Sequence, residues 1–238
     1  MKKMCIYVEG QTELYFVEKI VTEIANKNSV SIQLMNLKGG GKKSDIPETI
    51  SILKSNIKSS TEYYVQIINC QNDNRVQSKI KETYKDMQNK NFLKVLGLRD
   101  LYPLKLDQFN IINKLSIIND PDLTITVKTI IAVFEIETWF LSEYSFFTKI
   151  DPRLTLNFIK TLGFDLQNDV LDSNLKYYHS ADVLHQIYQS VSRSYNKRLD
   201  KSLKIIESLD YNILYCILRY KLKALDEFIS EIDDFFTV

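Results

Sequence analysis

Along the first 150 residues, short apolar runs alternate with helical stripes. Met4 to Val8 is unbroken and apolar, and Glu9-Gly10 ends it. A run of that length closed by a turn reads as a buried parallel strand. Leu14, Phe16, Val17, Ile20, Val21 and Ile24 then recur at helical spacing, with Thr12 placed to cap them. Val30 to Leu37 alternates and predicts a second strand, followed by the glycine loop Lys38 to Lys43. A helix is expected from about Pro47 to Ile57, with Pro47 in its first turn. Tyr63 to Cys70 predicts a third strand, Gln71-Asn72-Asp73-Asn74 a turn, and Val76 to Met87 a charged amphipathic helix. Phe92 to Leu98 predicts a fourth strand ending at Arg99-Asp100. Leu101 to Asp122 has no clean period, although Phe109 to Ile118 suits a helix. Thr124 to Phe134 is β-branched and predicts a fifth strand, with a helix starting over Glu135 to Leu141.

Beyond Asp151 the pattern is helical throughout, at about 153–162, 180–192, 197–208 and 210–234, the last open to a break. Strand–helix alternation followed by helices alone predicts an α/β fold. The expected architecture is a mainly parallel, Rossmann-like sheet flanked by helices over 1–148, with a C-terminal helical extension over 149–238 packed on it.

Composition narrows this little. The 238 residues are 45% hydrophobic and 26% charged, enough for a core without staples. The formal net charge of +1 excludes no partner, because phosphate binding depends on local patches. Cys5, Cys70 and Cys216 form no CxxC pair, which argues against a zinc knuckle and for reduced thiols in a cytoplasmic protein. Cys5 and Cys70 lie in apolar runs and read as buried, inert thiols. The apolar run after Met1-Lys2-Lys3 is too short for a signal peptide, and no stretch approaches the roughly 18 residues of a membrane span. The expectation is a cytoplasmic protein without a membrane partner.

Candidate chemistry sits at the strand ends, where open α/β sheets bind their ligands. Glu9 follows the first strand, and Gly10 permits close backbone approach. An acid there suits a metal or proton transfer, and equally a charge at a helix start. Asp100 follows the fourth strand, as a ligand sharing a sheet edge with Glu9 or as a turn aspartate. Asp73 has the same two readings. Glu135 and Glu137 share a face if the chain is extended and diverge by about 200° if it is helical. One facing a metal and the other a basic residue is the expected compromise, with a helix-start charge pair as the alternative. Trp139, Phe140 and Leu141 read as core. Lys42 and Lys43 on the glycine loop can touch a nucleic-acid backbone, although Lys43 spoils a GxxxxGK[ST] match. His179 and His185, six residues apart, read foremost as surface or satisfied histidines, with a metal pair or a catalytic base as the alternative. Arg193, Lys197, Arg198, Lys201 and Lys204 surround Tyr195 as a solvated face or a phosphate contact. The stripe of Leu225, Phe228, Ile229, Ile232, Phe235 and Phe236 must pack on the chain's own core or on a partner such as a second copy.

Val8-Glu9-Gly10-Gln11-Thr12-Glu13, directly after a strand, resembles the VEGxTE opening of TOPRIM domains in OLD-family nucleases and their small relatives. Gly97-Leu98-Arg99-Asp100-Leu101-Tyr102-Pro103 and Ala132-Val133-Phe134-Glu135-Ile136-Glu137-Thr138-Trp139-Phe140-Leu141 resemble motifs of uncharacterised bacterial TOPRIM-like proteins. The resemblance covers roughly residues 4–145. It implies a glutamate after the first strand, which is Glu9, and a DxD pair after the third. Asn69 and Gln71 stand at the spacing of that pair. Amide oxygens can ligate a hard cation but bring no charge, which weakens Mg²⁺ binding.

Two readings follow from the resemblance. In the first, Asp73 and Asp100 replace the missing acids in a nuclease dependent on Mg²⁺ (or Mn²⁺). Glu9 and Asp100 would be catalytic ligands, and Asp73, Glu135 and Glu137 would complete the metal set. Lys42, Lys43 and Arg99 would meet the nucleic acid. Such a protein would be a toxic effector of bacterial anti-phage defence, cleaving DNA or RNA beside an ABC- or AAA-type ATPase, with a homodimer among the expected partners. In the second, the domain is degenerate and binds a partner protein or nucleic acid without cutting it.

Overall fold

In the computed structural model, which describes residues 1–39, 47–58, 60–196 and 199–237, the apolar runs lie side by side as strands. These are β1 (Lys2–Val8), β2 (Val30–Lys38), β3 (Thr49–Ser55), β4 (Tyr63–Asn69), β5 (Lys94–Asp100) and β6 (Thr126–Ala132). Among the described residues they form one six-stranded sheet in the order β3-β2-β4-β1-β5-β6. β1 pairs in parallel with β4 on one side and β5 on the other, so Val8 faces both Asn69 and Leu98. That central place explains its unbroken apolar run: Met4 to Val8 are at most 1% exposed. β2 is parallel to β4, and the edge strand β3 runs antiparallel to β2.

The helices are α1 (Gln11–Ala25), α2 (Asp73–Asn89), α3 (Phe109–Leu115), α4 (Glu137–Ser142), α5 (Phe147–Ile150), α6 (Leu156–Thr161), α7 (Ser180–Gln189), α8 (Leu199–Ser208), α9 (Tyr211–Cys216) and α10 (Lys223–Thr237). The chain is an α/β protein with a mostly parallel sheet, helices flanking it, and helices alone in the C-terminal part.

The helix expected over 47–57 is strand β3 instead. Ile50, Leu53 and Ile57 mimic a helical stripe, yet they are 48%, 45% and 54% exposed and cover no core. Backbone pairing with β2 decides the conformation, as tertiary context often does for a short apolar segment. α1 starts one residue before the expected cap Thr12: Gly10 is its N-cap, and Thr12 is buried at 1%.

The chain divides into two compact units, one of Met1–Arg99, Asn110–Ile130 and Ser230–Val238, the other of Asp100–Phe109 and Ile131–Ile229. The boundary expected at 148/149 falls inside α5, within the second unit. The first unit is packed around Cys5, Tyr7, Ile68, Val76, Ile80 and Val95. Here α2 comes so close to β5 that a Cβ on Gly97 would lie 2.7 Å from Ile80 Cδ1. Burial pushes the Cys70 thiol up to about 12 and raises Cys5 as well, so both thiols stay protonated and inert. The second unit buries Trp139, Phe140, Leu141, Phe146, Phe147 and Leu184, which places the Trp139-Phe140-Leu141 segment in the core.

The apolar stripe of α10 is buried in the chain's own cores. Phe228 lies against Trp139 in the second unit, with ring centroids 6.3 Å apart. Phe235 and Phe236 meet Tyr63 edge-on in the first, at 5.5 and 5.0 Å. Glu231 of the same helix accepts from Lys94 at 2.7 Å and Lys128 at 3.1 Å. Among the described residues no helix is long and apolar enough to cross a membrane.

Candidate metal centre

Asp100 is the last residue of β5, and the chain beyond it stays laced to the chain beyond β6. Leu101 N donates to Ala132 O at 2.9 Å, and Tyr102 N to Phe134 O at 2.7 Å. Phe134 itself has φ of 63°, in the left-handed region. For a bulky residue that conformation costs on the order of 1–3 kcal/mol and persists only when its surroundings impose it. It turns the chain between β6 and α4, and Glu135 and Glu137 follow directly.

Asp100, Glu135 and Glu137 each offer a carboxylate oxygen, and these oxygens lie within 4.8 Å of one another. The three residues are 2%, 2% and 0% exposed. Each carboxylate is held by a donor from the second unit. Asp100 Oδ1 accepts from Ile136 N at 2.8 Å. Glu135 Oε2 accepts from Ala181 N at 2.9 Å and lies 2.8 Å from His179 Nδ1. Glu137 Oε1 accepts from the Tyr195 hydroxyl at 2.7 Å. Ala181 is in the first turn of α7, whose N-cap His179 supplies no side-chain cap, so Glu135 caps that helix from outside.

These donors fix the carboxylates, but ionised acids so close repel. At 4.8 Å and an effective dielectric of about 20, each charged pair costs about 3 kcal/mol. A protein keeps such a cluster when a cation, or a shared proton, offsets the repulsion. The donor set is all carboxylate oxygen and buried, which suits a hard divalent cation.

Glu135 and Glu137 both contribute an oxygen to one group, and Glu135 also faces a basic residue, His179, as expected of one of the pair; the left-handed Phe134 just before them breaks the regular period on which either simple projection relied. His179 was legible foremost as a surface or satisfied histidine, with a metal ligand or catalytic base as the alternative. The structure sets it on Glu135, with its Nε2 3.5 Å from Asp182 Oδ2 and its ring stacked 4.4 Å from Tyr102. Its partner lies 44 residues away and Tyr195 lies 58 residues from Glu137, so spacing carried no signal for either.

The remaining candidates are elsewhere. Glu9 belongs to the first unit and not to this group, and Asp73 falls in the first unit too. Glu9 is half-buried at the end of β1. The close approach at Gly10 is made by Glu13: a Cβ there would lie 2.8 Å from Glu13 Oε2. Asp73 starts α2 rather than closing a turn. Asn69 and Gln71 are tied into an amide chain, with Gln71 N donating to Asn69 Oδ1 at 2.8 Å and Gln71 Nε2 to Asn36 Oδ1 at 3.1 Å. Arg99 is buried at 2% within β5, not displayed to a backbone in solvent. Lys42 and Lys43 lie outside the described residues, as do Lys197 and Arg198. Arg193 Nε donates to Asp151 Oδ2 at 2.8 Å, and with Arg153 it holds that carboxyl well below the usual range. His185 Nδ1 is satisfied by Tyr195 O at 2.8 Å.

A cavity of about 520 Å³ in the second unit is lined by Glu143, Asp172, Leu166 and Ile217 among others, and by none of the three carboxylates. Burial raises the Glu143 carboxyl there. The chemistry is concentrated at the carboxylate group instead.

Fold and site together define an α/β protein with a buried three-carboxylate centre beyond the ends of β5 and β6. No protein-family model and no curated protein matches the chain. Among solved structures, the crystal structure of the "putative cell surface hydrolase" from Lactobacillus plantarum WCFS1 is similar at 10% identity and a TM-score of 0.33, over 97% of each chain. A likeness that slight carries no argument, and the fold and site stand on the geometry described above.

Proposed function

We propose that the chain is a metal-dependent nuclease whose Mg²⁺ or Mn²⁺ is held by Asp100, Glu135 and Glu137. The observation that carries this reading is the convergence of three buried carboxylate oxygens within 4.8 Å. A divalent cation, when bound, supplies stabilisation of the attacking and leaving oxygens of a phosphodiester. The chain's own residues orient the site: Ile136 N, Ala181 N and the Tyr195 hydroxyl each fix one carboxylate. His179, poised between Glu135 and Asp182, can hold or pass a proton at the site's edge. The TOPRIM-like motifs support nucleic acid as the substrate, whereas Glu9, which they mark as catalytic, lies in the first unit and outside the carboxylate group. They also suggest an anti-phage setting with an ATPase partner.

A second reading rests on the Asn69–Gln71–Asn36 amide chain, which puts neutral, hydrogen-bonded groups where the resemblance implies a DxD pair. It makes the chain a non-catalytic, TOPRIM-like binding module. One assay separates the two. The protein is incubated with single- and double-stranded DNA and RNA in Mg²⁺, in Mn²⁺ and in EDTA. The nuclease reading expects cleavage only with metal, lowered about a hundredfold or more in Asp100→Asn and Glu137→Gln. Full cleavage by either variant would overturn it, and binding without cleavage in every metal would favour the module.

A further inference from the structure

Beside the carboxylates the second unit gathers a set of aromatic rings that the metal does not require. Tyr102 stands two residues past Asp100, and its N–H donates to Phe134 O, one residue before Glu135. Tyr178 and His179 directly precede Ser180-Ala181, and Ala181 N anchors Glu135. The rings are thus fixed by the same backbone that fixes the acids.

Their packing is specific. His179 stacks on Tyr102 at 4.4 Å and 25°. Tyr178 meets Tyr102 edge-on at 5.2 Å and Phe134 at 5.7 Å. The Tyr178 hydroxyl donates to Pro103 O at 2.6 Å, which locks its ring. Phe134 is fully buried beneath the set, whereas Tyr102, Tyr178 and His179 are only half-buried, the His179 side chain being 36% exposed. Lys105, exposed, follows three residues after Tyr102.

Rigid, partly exposed rings beside a phosphodiester-cleaving centre suit one kind of ligand. A base inside a duplex is already stacked on its neighbours and hides its faces. An unpaired base presents a free π-face, and stacking on Tyr or His is tolerant of base identity. We infer that Tyr102, Tyr178 and His179 form a stacking site for an unpaired nucleobase, so that the substrate of the proposed nuclease is single-stranded. This rests on the nuclease reading for its biological use, but the binding itself does not need the metal.

The test is fluorescence anisotropy of a labelled single-stranded oligonucleotide, and of its duplex, with the full chain in EDTA. The inference expects the single strand to bind more tightly than the duplex. Tyr102→Ala should weaken single-strand binding roughly ten- to a hundredfold, the loss expected for one stacked base, while Tyr102→Phe keeps it. An abasic residue placed at the bound position of the strand should reproduce the loss in the wild-type protein. The heat of Mn²⁺ binding to Tyr102→Ala, measured in parallel, should equal that of the wild type, so the fate of the metal reading is scored separately. Equal affinity for duplex and single strand, or unchanged single-strand binding by Tyr102→Ala, would overturn the inference.

Discussion

Two sets of strand ends in this chain have opposite chemistry. At the end of β4, neutral groups meet: Asn69 Oδ1 accepts from Gln71 N, and Asn36 Oδ1 accepts from Gln71 Nε2. After β5 and β6, Asp100, Glu135 and Glu137 crowd three acids into buried space within 4.8 Å. The amide end is uncharged and tied together by hydrogen bonds, so it contains no like-charge repulsion. The carboxylate end is held by well-placed donors, and acids that close repel one another when all are ionised. The two ends differ in that one respect, charge that a cation could neutralise, and the difference is measurable.

The largest expected effect follows from it. In metal-free buffer, Asp100→Asn or Glu137→Gln should stabilise the protein, by up to about 3 kcal/mol for each repulsive pair removed, since an amide oxygen can still accept from Ile136 N or from the Tyr195 hydroxyl. Urea unfolding in EDTA checks the sign; destabilisation by both variants would mean that the acids are not in conflict. The amide end should respond the other way. Asn69→Ala removes the acceptor for Gln71 N, and the expected loss is about 1–2 kcal/mol in the same measurement, with metal affinity unchanged.

The smallest effect calibrates charge elsewhere in the first unit. The Tyr84 hydroxyl, 2.6 Å away, and Lys85 hold Asp120 down to about 2, from 3.8. A depressed carboxyl adds stability above its unfolded value and loses it as pH falls toward the folded one, so this contribution fades between about pH 4 and 2. Tyr84→Phe should move the Asp120 titration upward in an NMR pH series, and an unmoved curve would assign the shift to other groups.

Much of the frame was legible. The unbroken run of β1 announced a central parallel strand because its neighbours β4 and β5 cover both edges and its side chains are buried. The acids at positions 100, 135 and 137 were legible as candidates because they follow strands. Their convergence was not: it depends on the left-handed Phe134, which no periodicity encodes. Nor was the support from His179 and Tyr195, brought in from 44 and 58 residues away by the packing of helices. β3 misled because an exposed edge strand buries no face, leaving Ile50, Leu53 and Ile57 to imitate a helix. Glu9 carried the sequence argument through its motif, whereas the geometry gathers its acids around Glu137.

The most direct test of the carboxylate centre is calorimetric titration of Mn²⁺ into the full-length protein and into Glu137→Gln. The account predicts a saturable single-site heat for the wild type that disappears in the variant while its circular dichroism is unchanged. Identical isotherms for the two proteins, or no heat from the wild type at millimolar metal, would contradict it.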